Sequence, residues 1–440
     1  MFYLAFRAVS SLLLRLFFRI EPVSDPARSL ELPGPVVFVG NHPNGLIDPG
    51  LFLILAKRKI TFLAKAPLFS MPVLGWILKG LDALPVFRKQ DGPGDTTKNE
   101  GTLAASADAL VAGRAITIFP EGKSHSEPQL AELKTGCARI ALDAARRGAD
   151  VMIVPMGLTY EAKNRYRSRV HAAAGAPIAV KPFIEKPGED PHEAAKRLTA
   201  AIADAITEVT LNLEKWEDLP IVETAEALYA LAQTADAGDA ERKKAFARGM
   251  SLLRDEQPER FHRIKAQLAA FRRRLELVRV SPDELTNRYR PATVAWFVVR
   301  NLMWLLGLPM FLGGMVLFTV PYFIPKAMVK VARPEVDTES TVKVLTLMLL
   351  APCWWALLTA LAFFFAGGVG PAVATFLAVP PLALFTRYYF ERRSAALHDT
   401  RVFFLLGRRA SLQARLLEDG QALAREIDQL AAELGPRVLA

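Results

Sequence analysis

The stretch Pro35–Pro49, PVVFVGNHPNGLIDP, decides how this chain is read. Its first half, Val36 to Gly40, is a short β-branched apolar run of the kind that forms a strand buried on both faces. Its second half changes character at once. Asn41, Pro43, Asn44 and Gly45 are turn formers, and Leu46 and Ile47 can anchor the start of a helix. A strand that passes through a polar turn into a helix opens an α/β unit. Inside that turn stand His42 and Asp48, with five residues between them. An imidazole takes a proton from a hydroxyl more readily when a carboxylate holds its other nitrogen. A segment of this length can bring the two side chains together, although the spacing does not require it. Taken alone, Asn41 and Asp48 read equally as a turn and a helix cap.

Outward from this stretch the alternation continues over residues 31–187. Apolar runs predict strands at ITFLA from Ile60, LPVFR from Leu84, AITIF from Ala115, VMIVPMG from Val151 and PIAVKPF from Pro177. Helical periodicity lies between them at Gly101–Ala112 and Lys134–Ala145. Residues 188–290 are rich in Ala, Leu, Glu, Lys and Arg, with apolar positions at three- and four-residue spacing, and predict amphipathic helices. A loop is expected from Asp236, and His192 and His262 read as solvated surface residues.

Residues 291–388 are apolar. One run extends from Val294 through Ile324, with Gly307, Pro309, Gly313 and Gly314 as expected breaks, and a second from Val344 to Thr386 is split at Gly367–Pro371. Each half of the second run approaches the ~20 residues that cross a bilayer. Lys326, Lys330 and Arg333 between the runs, and Arg387, Arg392 and Arg393 after them, predict two hairpins returning to the cytoplasmic face, the first re-entrant. Residues 389–440 predict a cytoplasmic amphipathic helical tail, either a short coiled coil or a docking helix. At the other end, residues 1–30 read as an in-plane membrane anchor, with Arg7, Arg15 and Arg19 opposite a Leu/Phe face.

Composition agrees. The 440 residues are 51% hydrophobic and 23% charged, with a formal net charge of +10, which suits membrane contact and anionic partners. No RNA-binding signature, Cys/His metal spacing or long basic run points to nucleic acid. Cys137 and Cys353, far apart, support neither a disulfide framework nor a CxxC site.

Two further places gather polar groups at strand ends. Arg88, in LPVFRK, offers a guanidinium that can pair with a phosphate. In IFPEGKSHSEPQLAELKTG, Pro120-Glu121-Gly122 makes a tight turn, followed by Lys123, Ser124 and His125, and Lys134 opens a helix. Such donors beside a helix N-terminus suit an oxyanion or a phosphate.

NHPNGLID, LPVFRK, FPEGKSH and VPMGL occur in the order and approximate spacing of the four blocks of the glycerolipid acyltransferases, which this chain resembles over roughly Pro35–Lys186. Two departures are informative. His42 and Asp48 are separated by five residues instead of four, and the third block reads Pro-Glu-Gly-Lys-Ser-His where Pro-Glu-Gly-Thr-Arg-Ser is usual. Both departures, with ELKTG at Glu132–Gly136, are similar to the fungal-type glycerol-3-phosphate/dihydroxyacetone-phosphate acyltransferases.

The resemblance implies an α/β acyltransferase domain, followed by a helical region and C-terminal transmembrane helices. It implies acyl transfer from acyl-CoA or an acyl carrier protein to a small phosphorylated acceptor, with no metal and no resident cofactor. His42 would be the base and Asp48 its partner. Backbone N–H groups around Gly122 would serve the oxyanion, and Arg88, Lys123, Lys134, Ser124 and His125 the phosphate. Glu121 would bind acceptor hydroxyls or hold its own loop, and Pro155 would shape the donor wall. A lysophospholipid acceptor, a non-catalytic membrane scaffold and a hydrolase using the same dyad are the competing readings.

Overall fold

The computed structural model describes residues 1–86, 97–186, 188–233, 239–286, 291–408 and 410–438. The chain divides into two units, Met1–Asn212 with Val331–Leu345, and Leu213–Lys330 with Thr346–Ala440.

The first unit is built on a mixed sheet. The chain lays down α1 (Phe2–Phe17), β1 (Arg19–Ile20), β2 (Val36–Gly40), α2 (Ile47–Leu55), β3 (Ile60–Lys65), α3 (Pro72–Gly80), β4 (Leu84–Val86), α4 (Thr97–Val111) and β5 (Ala115–Ile118). It continues with α5 (Gly136–Arg146), β6 (Met152–Tyr160), β7 (Arg169–Ala174), β8 (Ile178–Ala179) and α6 (Pro191–Val209). The strand order is β1-β7-β6-β2-β5-β3-β4, with β8 also on β6. From β6 to β4 all neighbours are parallel, whereas β7 and β8 run antiparallel to β6.

Parallel strands must be covered on both faces, and this explains why β2 and β5 are apolar without alternation. Val37, Val39, Ile116, Ile118 and Ile153 pack against α4, α5 and α6 through Leu110, Ile140, Leu142, Leu198 and Ile202. Val36 and Phe38 point to the opposite face, where Phe52 of α2 lies over Gly40. The C-terminal ends of β6, β2 and β5 therefore lie side by side, at the edge where an open parallel sheet offers its crevice.

Several expectations are revised. β7 was not foreseen: RVHAAA carries little β-branched character, and its strand exists through antiparallel pairing with β6 from Met156↔Ala174 to Tyr160↔Val170. The run from Pro177 gives only the two residues of β8, then a 3-10 turn at Lys181–Phe183. Helix α6, expected within a separate helical region, covers the sheet. The N-terminal helix α1 buries Tyr3, Leu14 and Phe17 and leaves Leu4, Val9 and Leu12 exposed. Its Arg7 donates to Ile54 O at 3.2 Å instead of facing outward, so α1 is docked on the domain while still presenting an apolar outer face. Trp76 of α3, also exposed, meets Phe2 edge-on at 4.9 Å.

The second unit contains α7 (Leu219–Ala232), α8 (Ala240–Glu256), α9 (Pro258–Val278), α10 (Pro291–Leu317), α11 (Thr319–Ala332), α12 (Glu339–Phe365), α13 (Val369–Arg408) and α14 (Ala410–Val438), although α12 begins within the first. Of the loop expected from Asp236, residues 236–238 lie outside the described residues, and α8 has already begun at Ala240. His192 and His262 are exposed. The tail is a docking helix: Leu416, Ala424, Ile427 and Leu430 of α14 share a core with Leu228 of α7 and Phe271 and Leu275 of α9.

Among the described residues three helices are long and apolar enough to cross a membrane, Val294–Leu317, Glu339–Phe365 and Val369–Leu405. They mark a membrane-associated protein. The expected breaks at Gly307, Pro309, Gly313 and Gly314 do not occur. Helix α10 runs through all four, and Gly307 and Gly314 instead let Tyr389 and Thr386 of α13 approach its backbone. The axis is interrupted only at Phe318, where Phe318 N–H still reaches Gly314 O at 2.9 Å.

Candidate active site

The turn after β2 delivers the pair that its sequence promised. His42 Nδ1 and Asp48 Oδ2 are 2.8 Å apart. Asp48 lies in the first turn of α2 and is fully buried. It is saturated with donors. Asn44 N–H reaches Oδ2 at 2.6 Å, and the Tyr160 hydroxyl donates to Oδ1 at 2.5 Å. With Nδ1–H donating to Asp48, Nε2 of His42 is left as the acceptor. The imidazole is stacked on Phe119, with centroids 4.2 Å apart and planes at 17°. The extra residue between His42 and Asp48 is thus absorbed by the Asn44 turn, without separating the pair.

Asn41 does more than turn the chain. Its side-chain amide donates to Leu158 O at 2.9 Å and accepts from Leu158 N–H at 2.8 Å. It extends the β2–β6 ladder by one side-chain rung and fixes where His42 starts.

The turn after β5 is locked to the same loop. Glu121 is buried, and its Oε1 accepts from His42 N–H at 2.8 Å. Its Oε2 accepts from Ala131 N–H at 3.3 Å and meets His125 Nε2. In return His125 N–H donates to His42 O at 3.1 Å. Glu127 N–H donates to His125 Nδ1 at 3.2 Å, so the His125 tautomer carries its proton on Nε2, facing Glu121. Burial pushes the Glu121 carboxyl up to about 7, against its backbone donors and the nearby His42. Burial also lowers the His125 titration, helped by the cations Lys163 and Lys123. Glu121 is therefore engaged in holding both loops together. Of its two expected roles, the geometry displays the holding one.

Gly122 has φ +75°, a conformation costly for any residue with a Cβ. A Cβ there would also stand 2.9 Å from Lys134 Nζ, so the lysine lies directly over this glycine. The Gly122 N–H itself closes the turn onto Phe119 O at 3.0 Å. It is not free for an oxyanion, which corrects the expectation for that group. Lys123 is exposed and Ser124 half-buried on the same loop. Lys134 precedes α5, which starts at Gly136, and its N–H donates to Pro120 O at 2.9 Å.

The structure thus brings His42, Asp48, Glu121, Gly122, His125 and Lys134 together at one sheet edge, with Lys123 and Ser124 on its rim. Arg88 lies outside the described residues. Pro155 sits within β6, level with Val39 and with Ile118, the last residue of β5. Cys137 is buried in α5, and burial pushes its thiol up to about 12, which leaves it unreactive.

Sequence reading missed Tyr160 and Lys163. Tyr160 is half-buried, and the burial of its hydroxyl, followed by the Asp48 charge, holds it well above the usual tyrosine range, so it stays a donor. Its one available signal was its place two residues beyond VPMGL at the end of a strand.

Comparison with known proteins gives the following. Residues 24–159 match the acyltransferase family model. The chain is 28% identical over 273 residues to glycerol-3-phosphate O-acyltransferase 2 of Saccharomyces cerevisiae, covering 60% of this chain and 36% of that protein. It is 28% identical over 124 residues to a chloroplastic 1-acyl-sn-glycerol-3-phosphate acyltransferase of Arabidopsis thaliana, covering 28% of this chain and 32% of that one. The 1-acyl-sn-glycerophosphate acyltransferase structure from Thermotoga maritima aligns over 47% of this chain and 78% of its own, with 18% identity and a TM-score of 0.34. The chain spans well under half the length of the curated relatives named here. The four motif blocks and the family match together make residues 24–159 a domain of the acyltransferase family.

Proposed function

We propose that this protein transfers a fatty-acyl group from an acyl thioester to a hydroxyl of glycerol 3-phosphate or dihydroxyacetone phosphate. The observation that carries the reading is the His42–Asp48 pair, 2.8 Å apart through Nδ1, with Nε2 left as the acceptor. Nε2 takes the acceptor hydroxyl proton, and the oxygen attacks the thioester carbonyl. The tetrahedral oxyanion collapses, the C–S bond breaks, and the imidazolium returns its proton to the leaving thiolate. Asp48 holds the tautomer and offsets the imidazolium charge. With the Gly122 N–H occupied, the N–H groups of Lys123 and Ser124 are the next donors available to the oxyanion. Lys134 and Lys123 supply cationic charge for a phosphate at the same turn.

The small phosphorylated acceptor is favoured by the five-residue gap and by similarity to a yeast protein named as a glycerol-3-phosphate O-acyltransferase. Similarity to a 1-acyl-sn-glycerol-3-phosphate acyltransferase keeps lysophosphatidate as the second reading. Lys326, Lys330, Arg333, Arg392 and Arg393 favour the cytoplasmic face for the catalytic domain. Acyl-CoA or an acyl carrier protein is the donor, and membrane lipid the surroundings of the product.

The test offers the purified protein palmitoyl-CoA and each acceptor in turn, following thiol release. Turnover with glycerol 3-phosphate or dihydroxyacetone phosphate supports the first reading, and turnover with lysophosphatidate alone selects the second. Cellular function left intact in both His42→Ala and Asp48→Asn would sink the enzyme reading and leave the scaffold reading.

A further inference from the structure

Lys163 follows β6 in the connection to β7. Its ammonium donates to Pro43 O at 2.7 Å and Ser126 Oγ at 2.7 Å, with a longer contact to His125 O at 3.5 Å. Pro43 adjoins His42, and Ser126 adjoins His125. One side chain therefore ties the histidine loop to the loop after β5 across the face where their strands end.

A distant segment meets the same residues. The residues that lead into α12 pack in the first unit. Thr341 Oγ accepts from Leu46 N–H at 3.2 Å, Ser340 Oγ donates to Lys163 O, and Lys343 Nζ donates to Asn164 O at 2.7 Å. A Cβ on Gly45 would stand 3.0 Å from Thr341 Oγ and 3.2 Å from Asp337 O, so the histidine loop is in contact with this segment. Asp337 is buried, and its Oδ2 has no hydrogen-bond partner among the described residues.

We propose that Lys163 is a positioning residue of the acyl-transfer site, clasping the histidine loop to the loop after β5 beside the segment that carries Asp337. The proposal rests on the acyl-transfer reading above. A surface lysine would not direct its donors into two backbone turns flanking the dyad. Burial lowers the Lys163 titration, while Asp337 first and then Asp48 hold it up. His125 is the other titrating group coupled to this ammonium, and Lys343 on the facing segment is itself paired with Glu339 at 2.5 Å. When Lys163 loses its proton, its two short hydrogen bonds lose their charge assistance, and the clasp between the two loops weakens. Sub-ångström to ångström shifts between a base and an oxyanion site cost up to about a hundredfold in rate.

The experiment measures kcat and KM against pH for the full-length enzyme in phospholipid nanodiscs, with palmitoyl-CoA and its best acceptor. Lys163→Met is expected to lower kcat about a hundredfold, with donor KM little changed, and Lys163→Arg to recover at least about a tenth of native kcat by restoring the cation. Asp337→Asn is expected to move the alkaline limb of kcat/KM to lower pH, because Lys163 loses the anion that holds its proton, while the acid limb stays. Lys163→Met within about threefold of native kcat, or an alkaline limb unmoved in Asp337→Asn, overturns the proposal. The Asp337 variant keeps the test decisive if the Lys163 variants fail to fold. His42→Ala, run alongside, tests the role of the dyad by itself: native activity there overturns His42 as the base, and no turnover with any acceptor in the native protein overturns the acyl-transfer reading, whatever Lys163 does.

Discussion

At the scale of single residues, the site is a set of buried acceptors matched to donors from remote parts of the chain. Asp48 takes three donors, two from its own loop, His42 and the Asn44 backbone, and one from the end of β6, Tyr160. Removing one hydrogen bond to a carboxylate costs ~1.5–3 kcal/mol. Tyr160→Phe is expected to lower kcat by about tenfold or more with acceptor KM little changed, since the hydroxyl touches Asp48 and not the substrate; steady-state kinetics decide this. Glu121 gives a pH signature. Its folded titration, near 7, lies above the ordinary carboxyl value of 4.5. The folded state therefore binds the proton more tightly, and the stability this contributes is complete below about pH 4.5 and is lost as pH rises through about 7. Melting midpoints of native protein should fall more between pH 5 and pH 8 than those of Glu121→Gln, measured in the same detergent. The dyad itself was legible in the sequence because both members lie on one turn. Tyr160, Lys163 and Asp337 were not: the first two reach the site across 112 and 120 residues of chain, Asp337 meets Gly45 from a segment later still, and no local pattern marks them.

At the scale of elements, β6 carries the largest share. It pairs with β2 on one side and β7 on the other, and α6 lies against it. The glycine of VPMGL has a structural reason here: a Cβ on Gly157 would stand 2.0 Å from Val209 O at the end of α6. Gly157→Ala must push that helix end away, and overpacking of this kind costs ~1–3 kcal/mol. The expected outcome is a lowered melting midpoint with weakened activity, seen by thermal denaturation and thiol release on the same sample. The parallel strands were legible because they are continuous apolar runs between turn residues. β7 was not, since HAAA has little strand preference and gains its conformation from the neighbouring strand.

At the scale of the whole molecule, the apolar helices are constrained by the bundle they interrupt. Helices α7 and α9 precede them and α14 follows them, yet all three share one hydrophobic core. A bundle that stays on one side of a bilayer admits only an even number of crossings between its two halves, so an even number is the expected outcome between residues 291 and 408. Helices α12 and α13, both long and apolar enough to span, are joined around Gly367 and Gly368 and stacked through Trp355 and Phe376 at 4.4 Å. Helix α10 packs along α13, and α11, with 14 residues or ~21 Å of helix, is too short to return across a ~30 Å core. The expected outcome is that the pair α10–α11 enters and leaves on one side. Single cysteines at Ser281, Lys330 and Ser411, placed in a background with Cys137→Ala and Cys353→Ala, should react with an impermeant maleimide from the same side of sealed vesicles. Labelling of Lys330→Cys from the opposite side would restore the crossing.

The contact between Thr341 and Leu46 also orders events in time. The ribosome releases Asn212, and with it the whole sheet, roughly 125 residues before Asp337 emerges, an interval on the order of ten seconds at 5–20 residues per second. Throughout that interval the histidine loop lacks the segment that grips it. On the proposed acyl-transfer reading, the site is complete only when the opening turn of α12 has been made, so a nascent chain would gain activity with the first of its long apolar C-terminal helices rather than with the sheet.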